Sequence, residues 1–141
     1  MKHHLAIAFV VSAGLLMASP AAQAQSISGP RKVNYVLTDN AYSPKTMLKV
    51  RKGETITFTF TNRGKVLHEA LVATASVQQA HEKEMAGMGA RAMADEKDRV
   101  SVKPGTSKKL TIKFDRTGKL EIACHQPNHY KLGMRVPVTV S

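Results

Sequence analysis

From Val33 onward the chain is built of short runs in which apolar and polar residues alternate. The clearest is Thr55-Ile56-Thr57-Phe58-Thr59-Phe60-Thr61, with Ile56, Phe58 and Phe60 on one face and threonines on the other. A period of two is that of a strand with one face buried. Val33–Thr38 and Leu110–Phe114 alternate in the same way. Met47–Val50, Leu67–Ala73, Arg99–Val102, Lys119–Cys124 and Arg135–Val140 read as further short strands. Turn chemistry separates them at Asp39–Pro44, Arg51–Glu54, Asn62–Lys65, Lys103–Thr106 and Asp115–Gly118. About eight short strands at this spacing predict an all-β sandwich.

One stretch breaks the pattern. Ser76 to Ala94 is rich in Ala, Gln, Glu, Lys and Met, all good helix formers. Ser76 is expected to cap a short helix through Gln79, Ala80, Lys83 and Glu84. Gly87 and Gly89 should end it and leave a flexible excursion before the strands resume.

The N-terminus reads as a targeting segment. Lys2 supplies the positive start, Leu5 to Met17 is apolar, and Ala22-Gln23-Ala24 matches a signal-peptidase site. Residues 1–24 are therefore expected to be a cleaved signal peptide, which implies export to the periplasm. The apolar run is short for a membrane span. Residues 25–32, with Ser26, Ser28, Gly29 and Pro30, read as a flexible lead-in, and residues 33–141 as one domain.

Charge narrows the partners. Twenty-one Lys and Arg against 10 Asp and Glu give a formal net charge of +11. The basic residues do not cluster, Trp is absent and other aromatics are few, so no nucleic-acid partner is expected. The excess charge either steers the protein toward an acidic partner or an anionic membrane surface, or simply keeps it soluble. Nothing in the pattern calls for an oligomer, and a monomer is expected.

The candidate chemistry lies near the C-terminus, in Cys124-His125-Gln126-Pro127-Asn128-His129-Tyr130-Lys131-Leu132-Gly133-Met134. Cys124 is the single cysteine, so it has no intramolecular disulfide partner. In an oxidising compartment a lone thiol is a liability unless something occupies it. A thiolate, an imidazole and a thioether on one loop suit a soft, redox-active metal. A second imidazole would complete a trigonal His₂Cys set with a weak axial Met, the blue-copper arrangement. His68, in Val66-Leu67-His68-Glu69-Ala70-Leu71-Val72, is the candidate for it.

On the C-x4-H-x4-M loop and the upstream His68, the chain resembles the cupredoxins of the bacterial plastocyanin/azurin-like group. The x4/x4 spacing is similar to that of rusticyanin and auracyanin. The resemblance spans Val33 to Val140. It implies a cupredoxin-type Greek-key β-sandwich that carries one type 1 copper cycling between Cu(I) and Cu(II). His68, Cys124 and His129 would be the equatorial ligands and Met134 the axial one. It further implies one-electron transfer between larger redox proteins, such as a cytochrome or a copper oxidase. A copper-tolerance or copper-delivery role on the same fold is the alternative. Pro127, Leu132 and Tyr130 are expected around His129, either as an electron exit patch or as loop packing.

Two positions depart from the family pattern, where a small polar residue follows the upstream histidine and Ser or Thr follows the cysteine. Here Glu69 and His125 stand there. They are expected either to pair with each other and bridge the two ligand segments, or to face solvent. His81, Met85, Met88 and Met93 form a further soft-donor group, readable as a second copper site or as ordinary packing. No Ser/His/Asp ordering, no Gly-rich phosphate loop and no paired carboxylates in a plausible cleft are read from the sequence, so the protein is not expected to be an enzyme.

Overall fold

In the computed structural model, residues 29–141 are described. The predicted signal peptide and most of the lead-in lie outside them. Nine strands and one helix follow in chain order. They are β1 (Arg31–Thr38), β2 (Ala41–Ser43), β3 (Leu48–Val50), β4 (Thr55–Asn62), β5 (His68–Ala73), α1 (Ala75–Met85), β6 (Arg99–Val102), β7 (Ser107–Lys113), β8 (Gly118–Ala123) and β9 (Arg135–Val140). One sheet has the order β2-β1-β4-β7 and the other β3-β9-β8-β5-β6. β1–β4 and β3–β9 are parallel pairs, and the other neighbours run antiparallel. The architecture is the predicted Greek-key β-sandwich.

Two expectations about boundaries are corrected. The ninth strand, β2, sits where Asp39–Pro44 reads as a plain turn; three residues are too few to show a period. β1 starts at Arg31, two positions ahead of the alternating run, because Arg31 and Lys32 pair with Ile56 and Thr57 of β4.

The core is aromatic in one sheet and aliphatic in the other. Ile56, Phe58 and Phe60 are fully buried, as the alternation of β4 requires. Tyr35 stacks on Phe58 and Phe60, while Tyr42 and Phe114 approach edge-on. Val72, Ile122, Val136 and Val138 close the core from the second sheet. The outer face of β4 carries Thr57 and Thr59, paired across the sheet with Thr111 and Lys109 of β7.

The second sheet is covered in part, by α1 over β5 and β8. All six residues of β5 are buried, because its inner face meets the core and its outer face meets α1. Thr74, not Ser76, caps the helix: its Oγ1 accepts from the Val77 N–H. The inward side of α1 carries Gln78, His81 and Met85. The following segment is pinned rather than flexible. Gln126 Oε1 accepts from the Arg91 N–H and its Nε2 donates to the Arg91 carbonyl. Ser101 makes the same two-way contact with Met93, and Asp95 accepts from the Ser101 N–H and from Lys108.

Candidate metal centre

Strand pairing creates the gap that the candidate ligands fill. β5 pairs with β6 over His68–Leu71 but with β8 only over Leu71–Ala73. Beyond Leu71 the β5–β8 ladder stops, and Cys124 follows the last residue of β8. The Glu69 N–H therefore donates to Cys124 Sγ at 3.3 Å. A sulfur stands where a carbonyl would continue a ladder.

The C-terminal loop is a tightly wound hairpin between β8 and β9. The Cys124 N–H donates to the Met134 carbonyl at 3.2 Å, and the Met134 N–H to the His129 carbonyl at 2.9 Å. The His129 N–H donates to the Gln126 carbonyl at 2.9 Å. Asn128 and Gly133 have positive φ values of 67° and 84°, and these are residue types that adopt the left-handed region at low cost. These bonds bring three candidate ligands, Cys124, His129 and Met134, onto one turn.

His68 Nδ1 lies 3.8 Å and His129 Nδ1 3.3 Å from Cys124 Sγ. The ligand atoms of His68, Cys124 and His129 all fall within 4.8 Å of one another, and all three residues are buried. The Met134 side chain is fully buried in the core cluster that contains Cys124.

Burial holds all three donors in their uncharged forms. Burial, then the neighbouring His129, hold His68 down to about 4; burial also lowers His129. Both rings are thus neutral at ordinary pH, with Nδ1 turned to the sulfur. Burial pushes the Cys124 thiol up to about 12, against the lowering effect of the Glu69 and Gln126 N–H groups. A thiolate in this site needs a positive partner. Two neutral imidazoles and a soft thiol aimed at one point fit copper.

Several supporting residues escape the sequence reading. Tyr42 donates its hydroxyl to the Glu69 carbonyl, and burial keeps its phenol well above the usual range. Asn62 donates to the carbonyls of Val66 and Val102 at 2.8 and 2.9 Å and accepts from the Gly64 N–H, which sets the loop entering β5. Asp39 accepts from the Lys65 N–H, and its charge raises the affinity of His68 and His129 for protons. Gly64 passes so close that a Cβ there would meet the Asp39 backbone nitrogen at 3.0 Å as well as its carboxylate. Buried Asn and Tyr are legible signals only once their burial is known.

Neither alternative for Glu69 and His125 holds: they do not pair with each other, and both are buried rather than facing solvent. The Glu69 carboxylate faces His81 Nε2, 3.1 Å from both oxygens. His125 faces Glu82 at 2.8 Å through Nδ1 and Gln78 at 2.6 Å through Nε2. Helix α1 inserts these side chains between the two segments, with the His81 and His125 rings 5.0 Å apart. Burial lowers His125, while Glu82 acts the other way. Both ring nitrogens of His81 face carboxylates, Glu69 and Glu84, so His81 does not turn a donor toward Met85, Met88 or Met93. Tyr130 also leaves the expected patch: its ring lies 4.7 Å from that of His125 and its hydroxyl donates to Glu121.

A two-sheet sandwich whose β8–β9 hairpin and β5 converge on a buried His-Cys-His group defines a cupredoxin copper protein. Residues 32–141 match the family described as copper binding proteins, plastocyanin/azurin family, and the chain belongs to it, with copper as its cofactor. It is 31% identical over 145 residues to the copper-resistant cuproprotein CopI of Pseudomonas aeruginosa, covering 83% of this chain and 80% of that one. It is 34% identical over 110 residues to the CopI of Rubrivivax gelatinosus, covering 78% and 66%. Among solved structures, dithionite-reduced auracyanin from the photosynthetic bacterium Roseiflexus castenholzii superposes with a TM-score of 0.67 at 26% identity, over 80% of this chain and 99% of that chain. Auracyanin A from Chloroflexus aurantiacus, at 22% identity and a TM-score of 0.63 over 80% of this chain and 100% of its own, shares the fold.

Proposed function

We propose that this protein is a periplasmic copper-tolerance cuproprotein that holds one copper ion through His68, Cys124 and His129, with Met134 as a weak axial donor. The convergence of the three ligand atoms within 4.8 Å carries the ligand set. The likeness to relatives named as copper-resistant cuproproteins supports the role. Loading needs one deprotonation, at Cys124 Sγ, and that proton leaves to solvent. His68 and His129 are already neutral. The Glu69 and Gln126 N–H groups then stabilise the thiolate. Bound copper supplies one-electron chemistry between its two oxidation states. Burial of every donor keeps the ion away from solvent and from other thiols, without an enzyme activity.

Electron transfer is the second reading, and His129 favours it. This residue is 9% exposed on a loop whose Leu132 is 66% exposed, and Val66 on the other ligand-bearing loop is 41% exposed. Arg63, Lys65 and Lys131 are exposed on the same two loops. An apolar tip among cations suits an acidic docking surface on a cytochrome or copper oxidase, met by a monomer.

The deciding measurement is the visible spectrum of the mature protein with one equivalent of Cu(II), beside Cys124→Ser. An intense thiolate-to-copper band that disappears in the variant is expected. A weak spectrum unchanged by the substitution overturns the ligand set. In cells lacking the protein, restored growth in excess copper by wild type but not by Cys124→Ser is the outcome expected of the tolerance role.

A further inference from the structure

Gln78 is fully buried and lies outside every ligand segment, yet its amide is completely engaged. Nε2 donates to the Leu71 carbonyl on β5 at 3.0 Å and to the Glu121 carbonyl on β8 at 2.9 Å. Both amide hydrogens are thereby used, which fixes the orientation of the group. Oε1 is left as an acceptor, 2.6 Å from His125 Nε2. That nitrogen must therefore carry a hydrogen.

The place of this side chain matters as much as its bonds. Leu71, paired with Ala123, is the end of the β5–β8 ladder on the side of His68 and Cys124. Beyond it the strands part, and Cys124 Sγ accepts from the Glu69 N–H. Gln78 thus staples the two strands across their short ladder, from Leu71 at its open end to Glu121 opposite Ala73, and the same amide grips the residue that follows the cysteine. His125 is in turn held at Nδ1 by Glu82, one helical turn along from Gln78.

The geometry points to Gln78 as a positioning residue for the copper centre, an inference that rests on the ligand set proposed above. By fixing the opening between β5 and β8 and the direction of the chain through His125, it sets how the Glu69 and Gln126 N–H groups meet the sulfur. Hydrogen bonds to a ligating thiolate withdraw electron density from it and tune the metal's potential. Helix α1 is then part of the site, although none of its residues is a ligand.

Gln78→Met tests this, because it conserves length and helix preference while removing every hydrogen bond. Thr74→Ala is the control, since it weakens the helix at its cap without touching the strands or His125. In copper-loaded protein, Gln78→Met is expected to shift both the thiolate-to-copper band and the reduction potential. In copper-free protein it should raise the rate of Cys124 modification by a thiol reagent several-fold. Thr74→Ala should lower the melting temperature and leave all three readouts at wild-type values. If Gln78→Met also changes only the melting temperature, Gln78 is a structural staple and the inference is overturned. Should that variant not fold, Gln78→Asn, a methylene too short to reach both strands, is read in the same way. A wild type without the band overturns the ligand set, and this inference with it; a wild type with the band and an unmoved Gln78→Met overturns this inference alone.

Discussion

β4 and β5 are consecutive strands of one sandwich, yet they bury their residues in opposite manners. β4 alternates between buried and half-buried positions along its whole length. β5 buries every residue, including His68 and the carboxylate-bearing Glu69. The difference comes from what lies outside each sheet: water over the threonines of β4, and helix α1 over β5. A covered outer face allows polar groups to be placed in low dielectric, where their hydrogen bonds and charges act strongly. The metal end of the fold uses that allowance, and the aromatic sheet does not need it.

The comparison breaks most readily at the cover. His81→Leu leaves the Glu69 carboxylate buried without its imidazole, which should cost about 3–5 kcal/mol. Urea unfolding of copper-free protein measures it; a loss below about 1 kcal/mol would mean Glu69 is compensated elsewhere. The double variant Glu69→Leu/His81→Leu should recover much of the loss, because an apolar pair of similar volume replaces the polar one.

Acid should separate the strands next. His68, held at about 4 when folded, has an ordinary value of 6.5. Between those values the unfolded chain binds a proton that the folded chain refuses. Copper-free stability is therefore full above about pH 6.5 and falls as pH drops toward about 4, by up to about 3 kcal/mol from His68 alone. The lowered His125 and His129 act in the same direction. Denaturant midpoints across that range test the sign; a flat profile would refute it. On the bare side, Thr57→Val should change stability by no more than about 0.5 kcal/mol by the same measurement, and a larger loss would show that the threonine face is not simply solvated.

The same contrast decides what the sequence reveals. Ile56, Phe58 and Phe60 announce β4 because one face meets oil and the other water. The proposed ligands are legible because Cys124, His129 and Met134 lie close together in sequence and His68 precedes an apolar run. Helix α1 is legible as a helix from its composition, but its docking is not. Gln78, His81, Glu82 and Met85 sit where an apolar stripe would, and three of the four are polar, so hydrophobic periodicity passes over them. Glu69 and His125 could be singled out from sequence, but their partners could not, since those come from a helix that only tertiary packing brings alongside.

The backbone bond from the Cys124 N–H to the Met134 carbonyl closes the loop immediately above the Ala123–Arg135 pair of the β8–β9 ladder. Everything between those two residues leaves the β8–β9 ladder at that bond, with further side-chain ties from His125 to Gln78 and Glu82, from Gln126 to Arg91 and from Tyr130 to Glu121. Three of the four proposed ligands therefore travel as a single exchangeable unit, while His68 stays with the framework. Insertions or deletions between Cys124 and Met134 can reshape the metal's surroundings without moving a strand, which gives this protein a cheap evolutionary route to a new redox character.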